Sequence, residues 1–207
     1  MVPRSLVKKS YSGLYKGNKL ADFINSSIPQ NRSKIEDLPL KFGAVAFNLL
    51  DGKGHLIARG NLGRALQASS AVPELRQPVP MNGMLLVDGG VLDNIPCRLT
   101  RECGADLVLA VNVNERIYPL DDNAFRTLGS VSNRCVTANL EKVASEEEEF
   151  ADIIIHPEVS SIKLLSRSQF DIDRAIKAGQ VAAEEALPRI LKLLVEKNIS
   201  LKTQVSY

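Results

Sequence analysis

The chain has 207 residues, an apolar fraction of 44% and a formal net charge of +2. This length suits one domain, and the composition allows a sizeable core in a soluble globular protein. The basic residues are scattered along the chain and do not cluster, so the charge pattern argues against a nucleic-acid partner.

The first part of the chain predicts one short helix and a β-hairpin. Residues 19–26 favour the helix, and a polar loop follows it. Residues 42–50 and 55–59 are apolar-rich segments joined by Asp-Gly-Lys-Gly at 51–54, a strong hairpin signal, so we expect an antiparallel pair. His55 follows this turn directly, and we interpret it as a solvated turn residue.

A second helix and a second hairpin come next. Residues 62–70 have apolar side chains at helical spacing, and the two serines at the end of this segment are small enough to allow close packing. Residues 78–81 and 84–87 predict the two arms of a hairpin around an Asn-Gly turn. The second arm leads directly to Asp88.

The segment at 86–96 (Leu-Val-Asp-Gly-Gly-Val-Leu-Asp-Asn-Ile-Pro) places an acidic side chain where a buried strand ends. Asp88 then points into the crevice beyond that strand. Gly89 and Gly90 can adopt positive φ and allow backbone or ligand to approach closely. Asn94 is placed to cap the helix that follows. Asp-Gly-Gly also occurs in plain strand-to-helix turns, where the carboxylate only accepts backbone N–H bonds.

A βαβ unit is predicted beyond this loop. Residues 95–103 favour a helix, and residues 106–113 form a near-continuous apolar strand. We expect this strand to be a parallel neighbour of the strand that carries Asp88, with ligands bound beyond the carboxyl ends of both. Asn112 and Asn114 lie near that edge, where we expect them to satisfy loop backbone rather than to touch substrate.

The remainder of the chain alternates helix, strand and helix. Residues 125–149 predict a helix in two parts, and the glutamates at its end indicate a solvated surface, not a metal site. Residues 152–155 form a short buried strand that ends at His156, which we interpret as a strand-end residue without a catalytic role. An amphipathic helix follows for core packing, and Pro188 is expected to bend or divide it.

Cysteine usage and hydropathy bear on location. Three cysteines leave one unpaired under any disulfide scheme, and none forms a close metal-type pair. We therefore expect a reducing, cytoplasmic location and no metal or cofactor. No apolar run approaches the roughly twenty residues needed to span a bilayer. Membrane contact, if present, is expected to be peripheral, through a mildly basic N-terminal stretch of Lys8, Lys9, Lys16 and Lys19.

The sequences on both sides of the Asp-Gly-Gly loop resemble the patatin-like acyl hydrolases, especially the small bacterial patatin-like proteins. The resemblance rests on Ala-Leu-Gln-Ala-Ser-Ser-Ala-Val-Pro at 65–73 and Arg-Glu-Cys-Gly-Ala-Asp-Leu-Val-Leu-Ala-Val at 101–111, and it extends from residue 13 to residue 179. It implies an α/β three-layer sandwich with a mainly parallel sheet, incomplete at its N-terminus. It also implies one patatin-like domain over residues 1–207.

The resemblance also implies a reaction. In that family the aspartate of this loop and a serine in Gly-x-Ser-x-Gly form a catalytic dyad without histidine. The implied activity is hydrolysis of lipid acyl esters through an acyl-serine intermediate, with Asp88 as the general base and Gly89, Gly90 and Asn94 in the active-site loop. Gly-x-Ser-x-Gly is absent from the 207 residues, and so is the family's glycine-rich oxyanion segment. The chain therefore supplies a base without a nucleophile.

Two functions remain open on these grounds. One is the C-terminal portion of a lipid acyl hydrolase, in which a parallel sheet without its first strands exposes an apolar edge and favours self-association. The other is a non-catalytic lipid-binding or interaction module that retains the fold. A nucleotide-binding α/β protein fits less well, because the loop matches neither the dinucleotide glycine fingerprint nor the phosphate-loop pattern.

Overall fold

The computed structural model describes residues 13–114, 116–160, 162, 166 and 168–199 of the chain. The chain divides into two compact units, Met1–Asn94 and Ile95–Tyr207. One patatin-like domain over residues 1–207 stays a prediction. Of the N-terminal lysines, Lys8 and Lys9 lie outside the described residues, whereas Lys16 and Lys19 are exposed.

The first unit combines two α-helices with a four-stranded sheet in its described part. The helices are α1 (Asn18–Ser27) and α2 (Leu62–Ser69), and the strands are β1 (Ala44–Asn48), β2 (Lys53–Ile57), β3 (Val79–Met81) and β4 (Met84–Asp88). The strand order is β2-β1-β4-β3, and every neighbouring pair is antiparallel. Both predicted hairpins and both predicted helices are confirmed.

Small side chains let α2 pack closely on this sheet. Ala65 and Ala68 of α2 are fully buried in one cluster with Ala46 of β1 and Leu86 of β4. Alanine adds little volume beyond the backbone, so helix and strands can approach each other closely. The core of the first unit therefore packs against the second half of β4.

The turn that leads into β4 has the conformation that its sequence favours. Asn82 and Gly83 both have positive φ, 50° and 78°. Two left-handed residues in a two-residue loop match the twist of the flanking strands, which explains the Asn-Gly preference. The turn pairs Met81 with Met84 and thereby sets the register of β4.

The second unit contains, within its described part, the helices α3 (Cys97–Glu102), α4 (Ser130–Glu148) and α5 (Gln169–Glu196) and the strands β5 (Leu109–Val111) and β6 (Ile153–Ile155). The two strands pair in parallel. A short 3₁₀ turn at Asp122–Phe125 precedes α4, so the predicted two-part helix resolves into a turn and a helix.

The structure bears on two expectations about α5. Pro188 lies inside α5 and does not divide it; the loss of one hydrogen bond is offset by the continuous helix on both sides. One side of α5 is covered along its length, since Ala175, Ala186 and Ile190 are half-buried and Leu194 is buried. Ile176 and Val195 are 56% and 77% exposed, so only part of the predicted apolar stripe packs inward.

The α/β class is confirmed, but parallel pairing is limited to β5 and β6 among the described strands. The expectation that β4 is a parallel neighbour of the strand containing Val111 is wrong. β4 pairs with β1 along one edge and with β3 along the other, because the tight Asn-Gly turn forces β3 alongside it. In the described part of the chain, no helix is both long and apolar enough to cross a membrane.

Candidate functional site

Asp88 is the last residue of β4, and its backbone and side chain are both hydrogen-bonded. Its N–H donates to the carbonyl of Ala71 at 3.1 Å. Its Oδ1 accepts the N–H of Gly90 at 2.8 Å, which opens a short 3₁₀ turn over Gly89–Val91. The side chain is half-buried. The aspartate is thus held in one orientation at the end of the strand.

The two glycines are required for space and not for backbone conformation. Neither Gly89 nor Gly90 has positive φ, so that expectation is wrong. A Cβ on Gly89 would lie 2.4 Å from the carbonyl oxygen of Val45, and a Cβ on Gly90 would lie 2.7 Å from Oδ1 of Asn94. The loop therefore packs against the backbone of β1 at a distance that only glycine allows.

Asn94 has a different role from the predicted helix cap. The helix α3 begins at Cys97, with Pro96 at the N-cap and no side-chain cap. Asn94 instead places its side-chain oxygen beside Gly90, because two residues separate it from the first residue of the helix. The cap prediction is wrong, although Asn94 does belong to the loop around Asp88.

Burial raises the pKa of Asp88 above its ordinary value, because the charged form loses water. The Gly90 N–H bond and the positive charge of Arg76 offset part of this effect. Arg76 is half-buried, and its Nη1 donates to Oγ of Ser70 at 2.9 Å. A carboxylate whose pKa is raised accepts a proton more readily near neutral pH than an ordinary carboxylate does.

Ser70, which is bonded to Arg76, is not free to act as a nucleophile. Ser70 donates its hydroxyl to the carbonyl of Leu66 at 2.8 Å and accepts from Arg76. Its hydroxyl proton is donated to a carbonyl of α2, which agrees with the packing role predicted for the serines at the end of this helix. Asp88 does not line either of the two clefts formed by the described residues around Asn112 and His156.

Asn112 and His156, which follow β5 and β6, both contact Glu148. Asn112 is buried; its Nδ2 donates to Glu148 Oε1 at 2.7 Å, and its Oδ1 accepts the N–H of Asn114 at 2.9 Å. Nε2 of His156 lies 3.3 Å from the same glutamate oxygen. Asn112 therefore does satisfy loop backbone, as predicted, and in addition it orders a carboxylate.

The glutamates near the end of α4 are not simply solvated, so that expectation is wrong in part. Glu147 is buried, accepts the backbone N–H of Arg98 at 2.8 Å and pairs with its guanidinium at 3.3 Å. A sequence signal for this exists, because Leu140, Val143 and Ala144 predict an inward stripe that continues to position 147. No described group of three or more His, Cys, Asp or Glu side chains could hold a metal ion.

The comparisons with known proteins agree on one family. A family model described as patatin-like phospholipase matches residues 3–101, which include the whole Asp88 loop. An uncharacterized NTE family protein of Mycobacterium tuberculosis is 37% identical over 105 residues, 51% of this chain and 29% of its own. A second one from the same organism is 30% identical over 180 residues, 74% of this chain and 30% of its own.

A lysophospholipase from Phaeosphaeria nodorum is 31% identical over 108 residues, 52% of this chain and 7% of its own. The chain thus spans less than a third of the length of these relatives. The second of the mycobacterial matches carries the likeness past the Asp88 loop into the second unit, since it covers 74% of the chain and the first unit ends at Asn94. Together these matches place residues 3–101 of the chain in the patatin-like phospholipase family.

Proposed function

We propose that this chain is part of a lipid acyl hydrolase that cleaves carboxylic ester bonds of phospholipids or lysophospholipids, with Asp88 as the base of a Ser-Asp dyad. The observation that carries the proposal is Asp88 itself. It is a half-buried carboxylate with a raised pKa at the end of a strand, inside the region that matches the family.

In the proposed reaction one carboxylate accepts and then releases a proton in each of two half-reactions. Asp88 takes the proton of a serine hydroxyl while the serine oxygen attacks the ester carbonyl, and it then gives the proton to the departing alcohol. In the second half Asp88 takes a proton from water, whose oxygen attacks the acyl-serine, and it returns that proton to the serine oxygen as the fatty acid is released. The serine is not supplied by a Gly-x-Ser-x-Gly motif of these 207 residues.

The loop supports this role through orientation. The N–H of Gly90 fixes Oδ1 of Asp88, so Oδ2 is the oxygen that is left to approach a hydroxyl. Gly89 and Gly90 bring the loop against β1 and Asn94, which limits movement of the base. A fixed base transfers protons with less reorganisation than a mobile one.

A second candidate is a non-catalytic lipid-binding or interaction module with the same fold. Two observations favour it: the missing Gly-x-Ser-x-Gly motif and the turn hydrogen bond that Asp88 already makes. Cytoplasmic location, peripheral membrane contact and self-association remain predictions for both candidates. Exposed Lys16 and Lys19 support membrane contact only weakly.

The decisive experiment compares two proteins: the 207-residue chain and the longest reading frame that contains it. Each is labelled with a fluorophosphonate probe and assayed on a p-nitrophenyl ester and on a lysophospholipid. We expect labelling and hydrolysis in the longer product, loss of hydrolysis in Asp88→Asn, and full activity in Asp37→Asn, an exposed carboxylate of the same unit. A longer product without an activated serine, or an active Asp88→Asn variant, would overturn the proposal.

A further inference from the structure

A cleft lies beyond the carboxyl ends of the two parallel strands in the second unit. The N–H of Asn112 donates to the carbonyl of Ile155 at 2.9 Å, so β5 and β6 end side by side. Asn112 and His156 follow these ends directly and line a cavity of about 230 Å³. The carboxyl edge of parallel strands is where α/β proteins bind ligands.

One face of α4 forms the opposite wall of this cleft. Glu141, Ser145 and Glu148 line the cavity, and their spacing of four and three residues places them on the same side of the helix. Arg116 lines it from the segment after β5. Every lining side chain carries a polar group, so a ligand meets hydrogen-bonding groups on all sides of the cleft.

The carboxylates of the cleft are fixed by the protein on one oxygen only. Oε1 of Glu148 accepts from Asn112 at 2.7 Å and lies 3.3 Å from His156. Oε1 of Glu141 lies 3.3 Å from the backbone N–H of Ile117, which donates to it. Within the part of the chain that the structure describes, these bonds leave Oε2 of both glutamates to a ligand.

The charges of the cleft exclude several ligand classes. A phosphate would meet Glu141 and Glu148, and Arg116 already interacts with a further carboxylate, since its charge helps to lower the pKa of Glu158. The described residues of the cleft do not offer a metal ion a set of three Asp, Glu, His or Cys ligands. An acyl chain would leave the polar ends of the lining side chains without hydrogen-bond partners.

A hydroxyl group fits where these ligands do not, because it both donates and accepts hydrogen bonds. Two neighbouring hydroxyls can donate to carboxylate oxygens and accept from the fork of an arginine. The cavity is smaller than the usual range of about 300–1,000 Å³ for drug-sized ligands, so the ligand should be small.

From this combination we propose that the cleft binds a small neutral polyol, such as a sugar or an inositol ring, through hydroxyls that donate to Glu141 and Glu148 and accept from Arg116. The polyol is either a free molecule or the headgroup of a lipid. The site is separate in its residues from Asp88, and its occupation does not require the proposed hydrolysis.

The test is an NMR titration of the full 207-residue chain with myo-inositol, with choline chloride and inorganic phosphate as contrasting probes. The side-chain amide signals of Asn112 and Asn114 report directly on the cleft. We expect saturable shifts with myo-inositol alone. Glu148→Gln and Arg116→Gln should each weaken binding about tenfold, because each removes a hydrogen bond to a charged group.

Matched variants separate the cleft from general charge effects. Glu146→Gln and Arg126→Gln make the same charge changes at exposed positions outside the cleft, and we expect both to bind like the unmodified chain. Arg116 is exposed, so its replacement tests the site even if Glu148→Gln disturbs folding. Absence of saturable shifts, tighter binding of phosphate or choline, or equal losses in the controls would overturn the proposal.

Sedimentation with vesicles identifies the source of the polyol. Phosphatidylcholine vesicles containing phosphatidylinositol are compared with vesicles containing the same fraction of phosphatidylserine, which carries the same charge. Retention by the inositol lipid alone, lost in Arg116→Gln, supports a lipid headgroup. Binding of free myo-inositol without vesicle retention supports a soluble polyol.

Discussion

At the scale of single residues, the state of Asp88 is set by two opposing effects. Loss of water raises its pKa, while the Gly90 N–H and the charge of Arg76 favour the carboxylate. Ser70 fixes the guanidinium of Arg76 through a 2.9 Å hydrogen bond. Arg76 is therefore a positioning residue for the proposed base, because it acts on the proton affinity of Asp88 through charge.

Replacing Arg76 should raise the pKa of Asp88 further. Arg76→Gln removes the positive charge and keeps a hydrogen-bond donor for Ser70, whereas Arg76→Lys keeps the charge. The measurement is a carbon-13 NMR titration of the Asp88 carboxyl group in the three proteins. We expect an upward shift of the pKa in Arg76→Gln and little change in Arg76→Lys; equal values in all three proteins would contradict the role given to Arg76.

The raised pKa of Asp88 also makes the stability of the fold depend on pH. The folded chain holds the Asp88 proton more tightly than the unfolded chain, so ionisation weakens the fold as pH rises through the raised pKa. Asp88→Asn removes this cost and should raise the Tm at pH 7 by a few degrees at most, with the gain disappearing in acid. Thermal unfolding at several pH values measures it, and a pH-independent difference would contradict the assignment.

At the scale of elements, the Asp88 loop depends on its contact with β1. A Cβ on Gly89 would lie 2.4 Å from a backbone oxygen of that strand, and backbone cannot move aside as a side chain can. Gly89→Ala should therefore destabilise the fold by about 1–3 kcal/mol in urea unfolding. Gly54→Ala in β2 is the control, because its Cβ meets nothing within 4 Å; an equal effect of the two changes would contradict the contact.

Contacts between elements also explain what the sequence could and could not predict. The hairpin turns at 51–54 and 82–83 and the helical spacing of 62–70 are local signals, and the structure has each element there. The partners of β4 depend on distant strands, which periodicity does not encode. Likewise, the glutamates of α4 look solvated in sequence, yet Glu147 is buried through its bond to Arg98 of α3.

The site was predictable to a similar degree. The position of Asp88 at a strand end follows from the apolar run before it and the glycines after it. The contacts of Gly89 with Val45 and of Arg76 with Ser70 depend on how β1 and the segment after α2 fold back. The Glu148 contacts join residues that are far apart in sequence, such as Asn112, and no local pattern reports them.

At the scale of the whole molecule, the most prominent unexplained surface is the apolar stripe of α5. Ile172, Ile176, Leu187, Leu191 and Val195 recur at intervals of four residues within two stretches of this helix, and each is at least 43% exposed. A row of large apolar side chains on one helix is unfavourable in water and usually covered by other protein. The α5 stripe therefore supports the prediction that this chain associates with itself.

Self-association through the α5 stripe can be tested with paired charge changes. Ile176→Glu with Leu191→Glu places two charges in the stripe, whereas Lys177→Glu with Lys192→Glu places them at neighbouring exposed positions of α5. Light scattering coupled to gel filtration should show an oligomer for the unmodified chain and for the lysine variant, and a monomer for the stripe variant. A monodisperse monomer of the unmodified chain with a sharp thermal transition would contradict the prediction. An exposed apolar face of this length is expected to bind a second copy of the chain.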